Sequence, residues 1–176
     1  MLNEFDLQIF DNLNRFFLPH YHEIPDVGFY LEQVTRYISQ LLQPLGEGNI
    51  TGSMVSNYVK KGLVPNPVKK RYSREQIAYL IFIALAKSVL SLDNLSLFIQ
   101  MQKDSYDTEA AYEYFRDELL NVLDFVFGQK LVLEDVGQDS TDEKKMLRYT
   151  IIAISHKIYL ERCFSAISRS KNLDNQ

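Results

Sequence analysis

The sequence has few of the residues on which metal sites, disulfides and many active sites depend. Among 176 residues there are one cysteine, Cys163, no tryptophan and three histidines. A single cysteine excludes an internal disulfide, which is typical of a reducing compartment. His20, His22 and His156 do not have, with Cys163, the spacing of a zinc site. We therefore expect no metal and no other cofactor.

Long apolar runs and glycine-rich loops are also missing. The longest apolar run, 77–86, has ten residues, about half of what a membrane-spanning helix needs. Glu4, Asp6 and Asp11 near the start are unlike a signal peptide. No glycine belongs to a phosphate-binding loop, and no set of nucleophile, base and acid can be assigned. These absences favour a cytoplasmic protein that is not an enzyme and does not bind membranes.

The apolar residues recur at helical spacing along almost the whole chain, which predicts a mainly α fold. We expect a helix cap at Thr51 or Ser53, a capping box at Ser73 with Gln76, another at Ser140 with Glu143, and a glycine stop at Gly62. The segment 63–72 is an extended loop or small hairpin, and 128–140 is a loop or a short strand pair. The predicted helices cover 2–17, 26–42, 51–61, a buried helix from 74, 91–101, 108–127 and 140–168. The last helix is expected to bury Met146, Leu147, Ile151, Ile154, Ile158 and Phe164.

Charge is distributed unevenly in this chain of net charge −4. Residues 48–74 contain no Asp or Glu but six basic residues, whereas 104–143 contain twelve carboxylates against only Arg116 and Lys130. A basic run alone is most often a solvated surface. Here, however, two helices, a tight turn, a basic proline-bearing loop and a capped helix follow one another, as in a winged helix-turn-helix. This combination favours contact with double-stranded DNA.

Two stretches carry a resemblance to a known family. "TGSMVSNYVKKGLVPNP" and "KRYSREQIAYLIFIALAKSVLSLDNLSLFI" resemble the DNA-binding half of MerR-type transcription regulators. With the upstream "LPHYHEIPDVGFYLEQVTRYI", the chain is more similar to an uncharacterised bacterial family, a domain of unknown function. Where MerR regulators carry Arg-Tyr-Tyr, this sequence reads Ser56-Asn57-Tyr58.

The resemblance implies a fold class and a division of the chain. The fold would be a MerR-like winged helix-turn-helix followed by a helical C-terminal region. Residues 1–28 would be an N-terminal helical extension, 29–103 the DNA-binding domain, and 104–176 an acidic helical region. The acidic region would hold the contact of a homodimer and, if the protein responds to one, a small-molecule effector that the sequence does not identify.

The recognition helix, about 53–61, would lie in the major groove, and the wing, 65–72, on the DNA backbone. Residues early in that helix with short polar side chains are candidates to face base edges: Ser53, Ser56 and Asn57. Candidates for phosphate contact are Tyr58, Lys60 and Lys61 in the helix, and Lys69, Lys70 and Arg71 in the wing. Tyr72 would stack on a sugar or pack beneath the wing, and Arg74 could contact DNA or support its helix start. Ser53 could instead be only a helix cap, and both tyrosines ordinary boundary residues.

We therefore expect a sequence-specific DNA-binding transcriptional regulator that acts as a homodimer. The alternative is a protein-interaction adaptor that retains the helix-turn-helix scaffold, does not bind DNA, and grips a partner with its apolar and acidic C-terminal half. An enzyme would require carboxylates that converge in a pocket.

Overall fold

The protein is mainly helical. The computed structural model describes Ile9 and residues 16–47, 49–137 and 140–173, with the backbone alone for 171–173. The described elements are β1 (Phe29–Tyr30), α1 (Leu31–Leu42), α2 (Gly52–Lys60), β2 (Arg71–Tyr72), α3 (Arg74–Ala86), α4 (Leu92–Ser105), α5 (Thr108–Val126) and α6 (Asp142–Leu173). Within these residues, no helix is both long and apolar enough to cross a membrane.

The predicted N-terminal helix, 2–17, lies outside the described residues except for Ile9 and its last two positions. Ile9 is buried, and its carbonyl oxygen accepts a hydrogen bond from Nη1 of Arg162 at 2.8 Å. This bond connects the start of the chain to α6.

Helix α1 begins later than the sequence predicts. Residues near Pro25 form an irregular segment, Gly28 adopts a left-handed φ of 72°, and the helix starts only at Leu31. The predicted start was wrong because Phe29 and Tyr30 pair with a distant strand instead of joining the helix. From Leu31 onwards, buried Val34, Ile38 and Leu42 follow at intervals of four residues, the spacing of one helix face.

Helix α2 matches its predicted caps. The Thr51 hydroxyl accepts a hydrogen bond from the Met54 N–H at 3.3 Å. At the other end, Gly62 has φ 76°, and the Leu63 N–H donates to the Tyr58 carbonyl at 3.0 Å. This is the Schellman arrangement, for which glycine is suited because it has no Cβ. The chain therefore turns sharply out of α2.

Helix α3 is the central buried helix, as its apolar composition predicts. Ten of its thirteen residues are buried. Ser73 caps its start, and the capping box with Gln76 is confirmed, since the Ser73 N–H donates to Gln76 Oε1 at 2.8 Å. The other end of that amide donates to the Pro65 carbonyl at 2.8 Å. One side chain thus caps α3 and holds the loop that precedes it.

The segment 63–72 is a small hairpin, one of the two predicted alternatives. Val68 and Arg71 exchange backbone hydrogen bonds of 3.1 and 2.9 Å around Lys69 and Lys70. Arg71 and Tyr72 then pair in antiparallel fashion with Tyr30 and Phe29. The hairpin is therefore held against the start of α1.

Helices α5 and α6 pack together in the acidic half. Glu118 is fully buried, 3.0 Å from Nη1 of Arg148, and its other oxygen accepts from the Tyr114 hydroxyl at 3.1 Å. Burial raises the pKa of Glu118, although the Arg148 charge opposes the shift. Arg148 also donates to the Glu134 carbonyl at 3.0 Å, so it anchors the preceding segment. That segment, over 128–137, contains no strand and is a loop.

Two expectations about α6 were wrong. The helix begins at Asp142, and Thr141 rather than Ser140 caps it, because the Thr141 hydroxyl accepts the Lys144 N–H at 3.3 Å. Met146 and Phe164 are 42% and 66% exposed, not buried. Ile151, Ile154 and Ile158 are buried as predicted. The helix has apolar residues on two faces, and only one of them meets the core.

One hydrophobic core contains residues from both sides of position 104, including Ile38, Ile81, Leu119 and Ile154. The predicted division at that position thus marks a change in charge within a shared core.

The segment before β1 is attached to α5 by contacts between histidine and glutamate side chains. His20 Nδ1 lies 2.9 Å from Glu113, which also accepts the Tyr21 N–H at 2.6 Å, and His22 lies 2.8 Å from Glu109. Burial alone would raise the pKa of Glu113. The hydrogen bonds from the Tyr21 N–H and from His20 have a larger, opposite effect, so the pKa is lowered. The ionised carboxylate therefore stabilises the fold.

We predict that Glu113→Gln lowers the free energy of unfolding at pH 7 by about 1 kcal/mol, because a charge-assisted hydrogen bond becomes a neutral one. A lowered pKa contributes stability above the ordinary value of 4.5, and this stability is lost as the pH falls through the lowered value. The difference between variant and wild type should therefore become smaller in acid. Urea unfolding at pH 7 and pH 3 measures it. Glu109→Gln, at a more exposed pair, is the control and should cost less; an undiminished difference at pH 3 would contradict the account.

Candidate nucleic-acid interface

The outer face of α2 is polar and contains no carboxylate. Ser53, Ser56, Asn57 and Lys60 are all exposed and follow one another at intervals of three, one and three residues, which places them on one helix face. Val55 lies on the opposite face and is buried. The core thus fixes which side of α2 faces outwards, and three of the predicted base-reading residues lie on that side.

The three short polar side chains differ in how they are used. The Ser56 hydroxyl donates to the Gly52 carbonyl at 2.8 Å, and the Ser53 hydroxyl lies 3.0 Å from that of Thr51. The Asn57 side chain forms no hydrogen bond with another described residue. Its amide, with one acceptor and two donors, is therefore the side chain on this face best suited to bind a base edge.

Tyr58 and Tyr72 are core residues. They are only 3% and 4% exposed, and burial raises the pKa of both hydroxyls. The expectation that Tyr58 lies along the phosphates was wrong, because the helix turns this side chain inwards. For Tyr72, the structure supports the alternative in which the ring packs beneath the hairpin.

The hairpin tip presents two lysines on an unusual backbone. Lys69 and Lys70 have φ angles of 50° and 63° and are both exposed. Two successive left-handed residues define a type I′ turn, for which Asn-Gly is the favoured pair. Residues with a Cβ adopt this conformation at a cost of about 1–2 kcal/mol each. The backbone is therefore strained at the turn from which Lys69 and Lys70 project into solvent.

Arg71 extends the basic surface beside the tip. Its guanidinium lies over the Tyr30 ring, 4.8 Å from the centroid, and its stem packs on Gly28, where a Cβ would approach Arg71 Cδ to 3.1 Å. The Gly28 carbonyl accepts from its Nη1 at 3.5 Å. Ring and glycine therefore orient an exposed guanidinium.

Arg74 belongs to the support of this surface. Its Nε donates to the Ile24 carbonyl at 2.9 Å, its guanidinium lies 5.8 Å from the Tyr21 ring centroid, and its backbone N–H donates to Asp26 at 3.0 Å. Of the two predicted roles, the structure favours the one at the helix start.

The carboxylates that border the basic segment are bound to other groups. Glu47 lies 3.0 Å from Lys157 Nζ, Glu75 accepts the Thr108 hydroxyl at 3.0 Å, and Asp26 accepts the Arg74 N–H. No ion pair joins Lys60, Lys61, Lys69 or Lys70 to a residue that the structure describes. We call the exposed residues Ser53, Ser56, Asn57, Lys60, Lys61, Lys69, Lys70 and Arg71 the basic surface.

No group of three metal-ligating side chains comes together among the described residues. His20 and His22 are bound to Glu113 and Glu109, and His156 Nδ1 lies 2.7 Å from the Ile152 carbonyl, one turn away on α6.

Sequence reasoning missed Tyr30 and Gly28, which position Arg71. They lie about forty residues earlier, and no local motif marks them. Only the pairing of β1 with β2 reveals their role.

The comparisons with known proteins give a family for this mainly helical chain. It belongs to the family defined by the domain of unknown function DUF1836, whose profile matches residues 19–115. The match contains the whole basic surface and ends within α5. No curated protein and no solved structure matches the chain.

We predict that Lys69→Asn combined with Lys70→Gly raises the free energy of unfolding by about 1–2 kcal/mol, because Asn-Gly adopts the left-handed turn at lower cost. Thermal and urea unfolding of the double variant measure the gain. Lys60→Ala with Lys61→Ala also removes two charges but relieves no backbone strain, so this control should show no gain. A less stable Asn-Gly variant would contradict the described turn.

Proposed function

We propose that the protein is a sequence-specific DNA-binding transcriptional regulator that acts as a homodimer. The observation that carries this proposal is the basic surface: five exposed cations and three exposed short polar side chains on α2 and the hairpin, in a segment, 48–74, that contains no Asp or Glu. DNA binding requires such a surface, because affinity depends mainly on neutralised phosphates and a carboxylate there would repel them.

Phosphate contact is assigned to the lysines and Arg71. The lysines carry compact charges on flexible stems, and the hairpin tip projects two of them together. Arg71 is held by Tyr30, so less of its side-chain freedom is lost on binding. These contacts would position the protein without reading sequence.

Base contact is assigned to the outer face of α2. At nine residues this helix is about 13 Å long, close to the width of the major groove. Asn57 is the first candidate, because an amide can bind adenine in bidentate fashion. Ser53 and Ser56 can accept hydrogen bonds beside it.

We also propose that this region is a MerR-like winged helix-turn-helix. Two features support it: a basic hairpin follows α2, and Ser73 caps the next helix. The connection between α1 and α2 is longer than the expected tight turn, since it runs from 43 to 51 and contains a 3-10 turn at Gln43–Leu45. Pairing of the hairpin with β1 gives the wing a fixed attachment. Base readout would differ from that of MerR regulators, since Ser56 and Asn57 occupy the place of Arg-Tyr.

The homodimer contact is assigned to an exposed stripe on α6. The stripe residues are Met146, Tyr149, Ala153, His156, Leu160, Phe164 and Ile167. Tyr149, Leu160 and Phe164 are 72%, 53% and 66% exposed. Intervals of three and four residues place the stripe along one face, as in a coiled coil. It contains no carboxylate.

A second copy of the chain fits this stripe in antiparallel orientation. Reversal about the point midway between His156 and Lys157 places Tyr149 opposite Phe164, and Met146 opposite Ile167. Such reciprocal contacts are what a two-fold interface requires. Along about 31 Å of helix, two copies would bury on the order of 1,200 Å² in total, which is the lower limit for a stable interface.

The first test is the salt dependence of DNA binding. We expect tight binding to selected genomic fragments, with log affinity falling steeply against log salt. Replacing Lys69, Lys70 and Arg71 together with Ala should weaken binding to all sequences alike and make the slope shallower by up to about 2.7. Fluorescence anisotropy at several salt concentrations measures both effects, and an unchanged slope would remove the hairpin assignment.

Asn57→Ala is the matched comparison in this test. It removes no charge, so the salt slope should stay the same while the preference among sequences weakens. Equal losses on all fragments would show that Asn57 does not read bases.

The second test is the oligomeric state. Leu160→Glu with Phe164→Glu places carboxylates within the stripe, and we expect the dimer to dissociate at least a hundredfold more readily, because charges lose their hydration on burial. Sedimentation velocity over a range of concentrations measures it. Leu131→Glu with Val132→Glu is the control, since these exposed apolar residues lie in the loop outside the stripe. A wild type that stays monomeric, or a stripe variant that stays dimeric, would contradict the assignment.

The exposed stripe is also the observation that favours the adaptor alternative, in which it binds a different protein. A wild type that is monomeric and does not bind genomic fragments at low salt would favour that alternative.

A further inference from the structure

A cleft lies between α3, α4, α5 and the first turns of α6. It consists of two adjoining cavities of about 60 and 210 Å³. Phe98, Gln102, Ala111 and Leu147 line both. Together the two cavities approach the lower limit of small-molecule sites, which are concave and mostly apolar with a few placed polar groups.

The inner walls are aromatic. The ring of Phe82 packs edge-on against those of Phe98 and Phe115, with centroid distances of 5.8 and 5.4 Å, and Tyr112 lies beside Phe115 at 6.1 Å. Such walls favour a flat aromatic guest, which can stack on one ring and meet the edge of another.

One end of the cleft has more hydrogen-bond acceptors than donors. The Tyr79 hydroxyl donates to Gln102 Oε1 at 3.0 Å, and the Thr108 hydroxyl donates to Glu75 at 3.0 Å. The Gln102 amide nitrogen donates to the Tyr106 carbonyl at 2.7 Å. Both hydroxyl donors and one of the two N–H groups of the Gln102 amide are therefore used within the protein. The oxygens of Tyr79, Gln102 and Thr108 keep acceptor capacity, so this end suits a ligand with an N–H or O–H.

The apolar inner walls disfavour a charged guest, because a charge buried against them loses its hydration. The outer mouth carries one charge of each sign. Glu143 accepts the Ser105 hydroxyl at 3.1 Å, and the Lys144 ammonium lies 5.2 Å from the centroid of the Tyr114 ring.

We propose that this cleft binds an uncharged, flat aromatic molecule that carries one hydrogen-bond donor. The aromatic walls hold the ring system, and the acceptors at Tyr79, Gln102 and Thr108 select the donor. The cleft is where a small-molecule effector would bind within the described chain. The assignment does not depend on DNA binding, and its test contains no DNA.

The test uses N-phenyl-1-naphthylamine, a neutral fluorescent probe with two aromatic groups and one N–H. With the full chain we expect a saturable fluorescence increase at one probe per chain. Its sulfonated analogue, 8-anilino-1-naphthalenesulfonate, has the same skeleton with a negative charge and should bind at least tenfold more weakly. The absence of saturable binding, or equal binding of the two probes, would overturn the proposal.

Variants locate the binding. Ala111→Phe places a ring in the space shared by both cavities and should abolish probe binding. Gln102→Leu removes an acceptor and should weaken it about tenfold. If Ala111→Phe does not fold, as judged by circular dichroism, probe binding is measured on the double variant Ala111→Leu with Gln102→Leu, in which it should also be lost.

The exposed stripe on α6 is the competing site for an apolar probe. The stripe variant, Leu160→Glu with Phe164→Glu, should therefore keep its probe affinity within about twofold. Binding that is lost in the stripe variant and kept in the Ala111 and Gln102 variants would place the probe on α6 and overturn the proposal.

Discussion

The short antiparallel pairing between Phe29–Tyr30 and Arg71–Tyr72 is the contact on which the arrangement of the basic surface depends. It joins residues more than forty positions apart, ends the irregular segment before α1, and fixes the hairpin against that helix. It also brings Tyr30 and Gly28 to Arg71. Two residues per strand cannot form a stable sheet alone. The buried Tyr72 and the capped start of α3 supply the remaining support, so the pairing and the central helix stabilise each other.

In our account, the basic surface can bind DNA because basic and acidic residues lie in different segments of the chain. Twelve carboxylates occur within residues 104–143. Glu47, Glu75 and Asp26, which border the basic segment, are bound to Lys157, Thr108 and the Arg74 N–H. The acidic segment would disfavour contact with DNA there. The same acidic half contains the aromatic cleft and the exposed stripe of α6. Three surfaces of different chemistry are thereby assigned to three partners: DNA, a small aromatic molecule and a second copy of the chain.

Much of this fold could be predicted because its signals are local. The caps at Thr51 and Ser73 and the glycine stop at Gly62 depend on neighbouring residues, and the structure confirms all three. The errors arose where contacts between residues far apart in the sequence determine the structure. Strand pairing overrode the apparent helix start near Pro25, burial turned Tyr58 inwards, and helical spacing could not tell which apolar face of α6 meets the core. The basic residues of the surface were visible in the sequence, but the roles of Tyr30, Gly28 and the cleft required the packed structure.

The most direct test of the central claim is a lysine footprint of the protein on duplex DNA. Brief acetylation with and without genomic fragments, followed by mass spectrometry, reports how well each lysine is protected. Our account predicts slower modification at Lys60, Lys61, Lys69 and Lys70, with no change at Lys130 and Lys145. Protection spread evenly over all lysines, or absent from the hairpin, would contradict a single DNA-binding surface built from α2 and the hairpin.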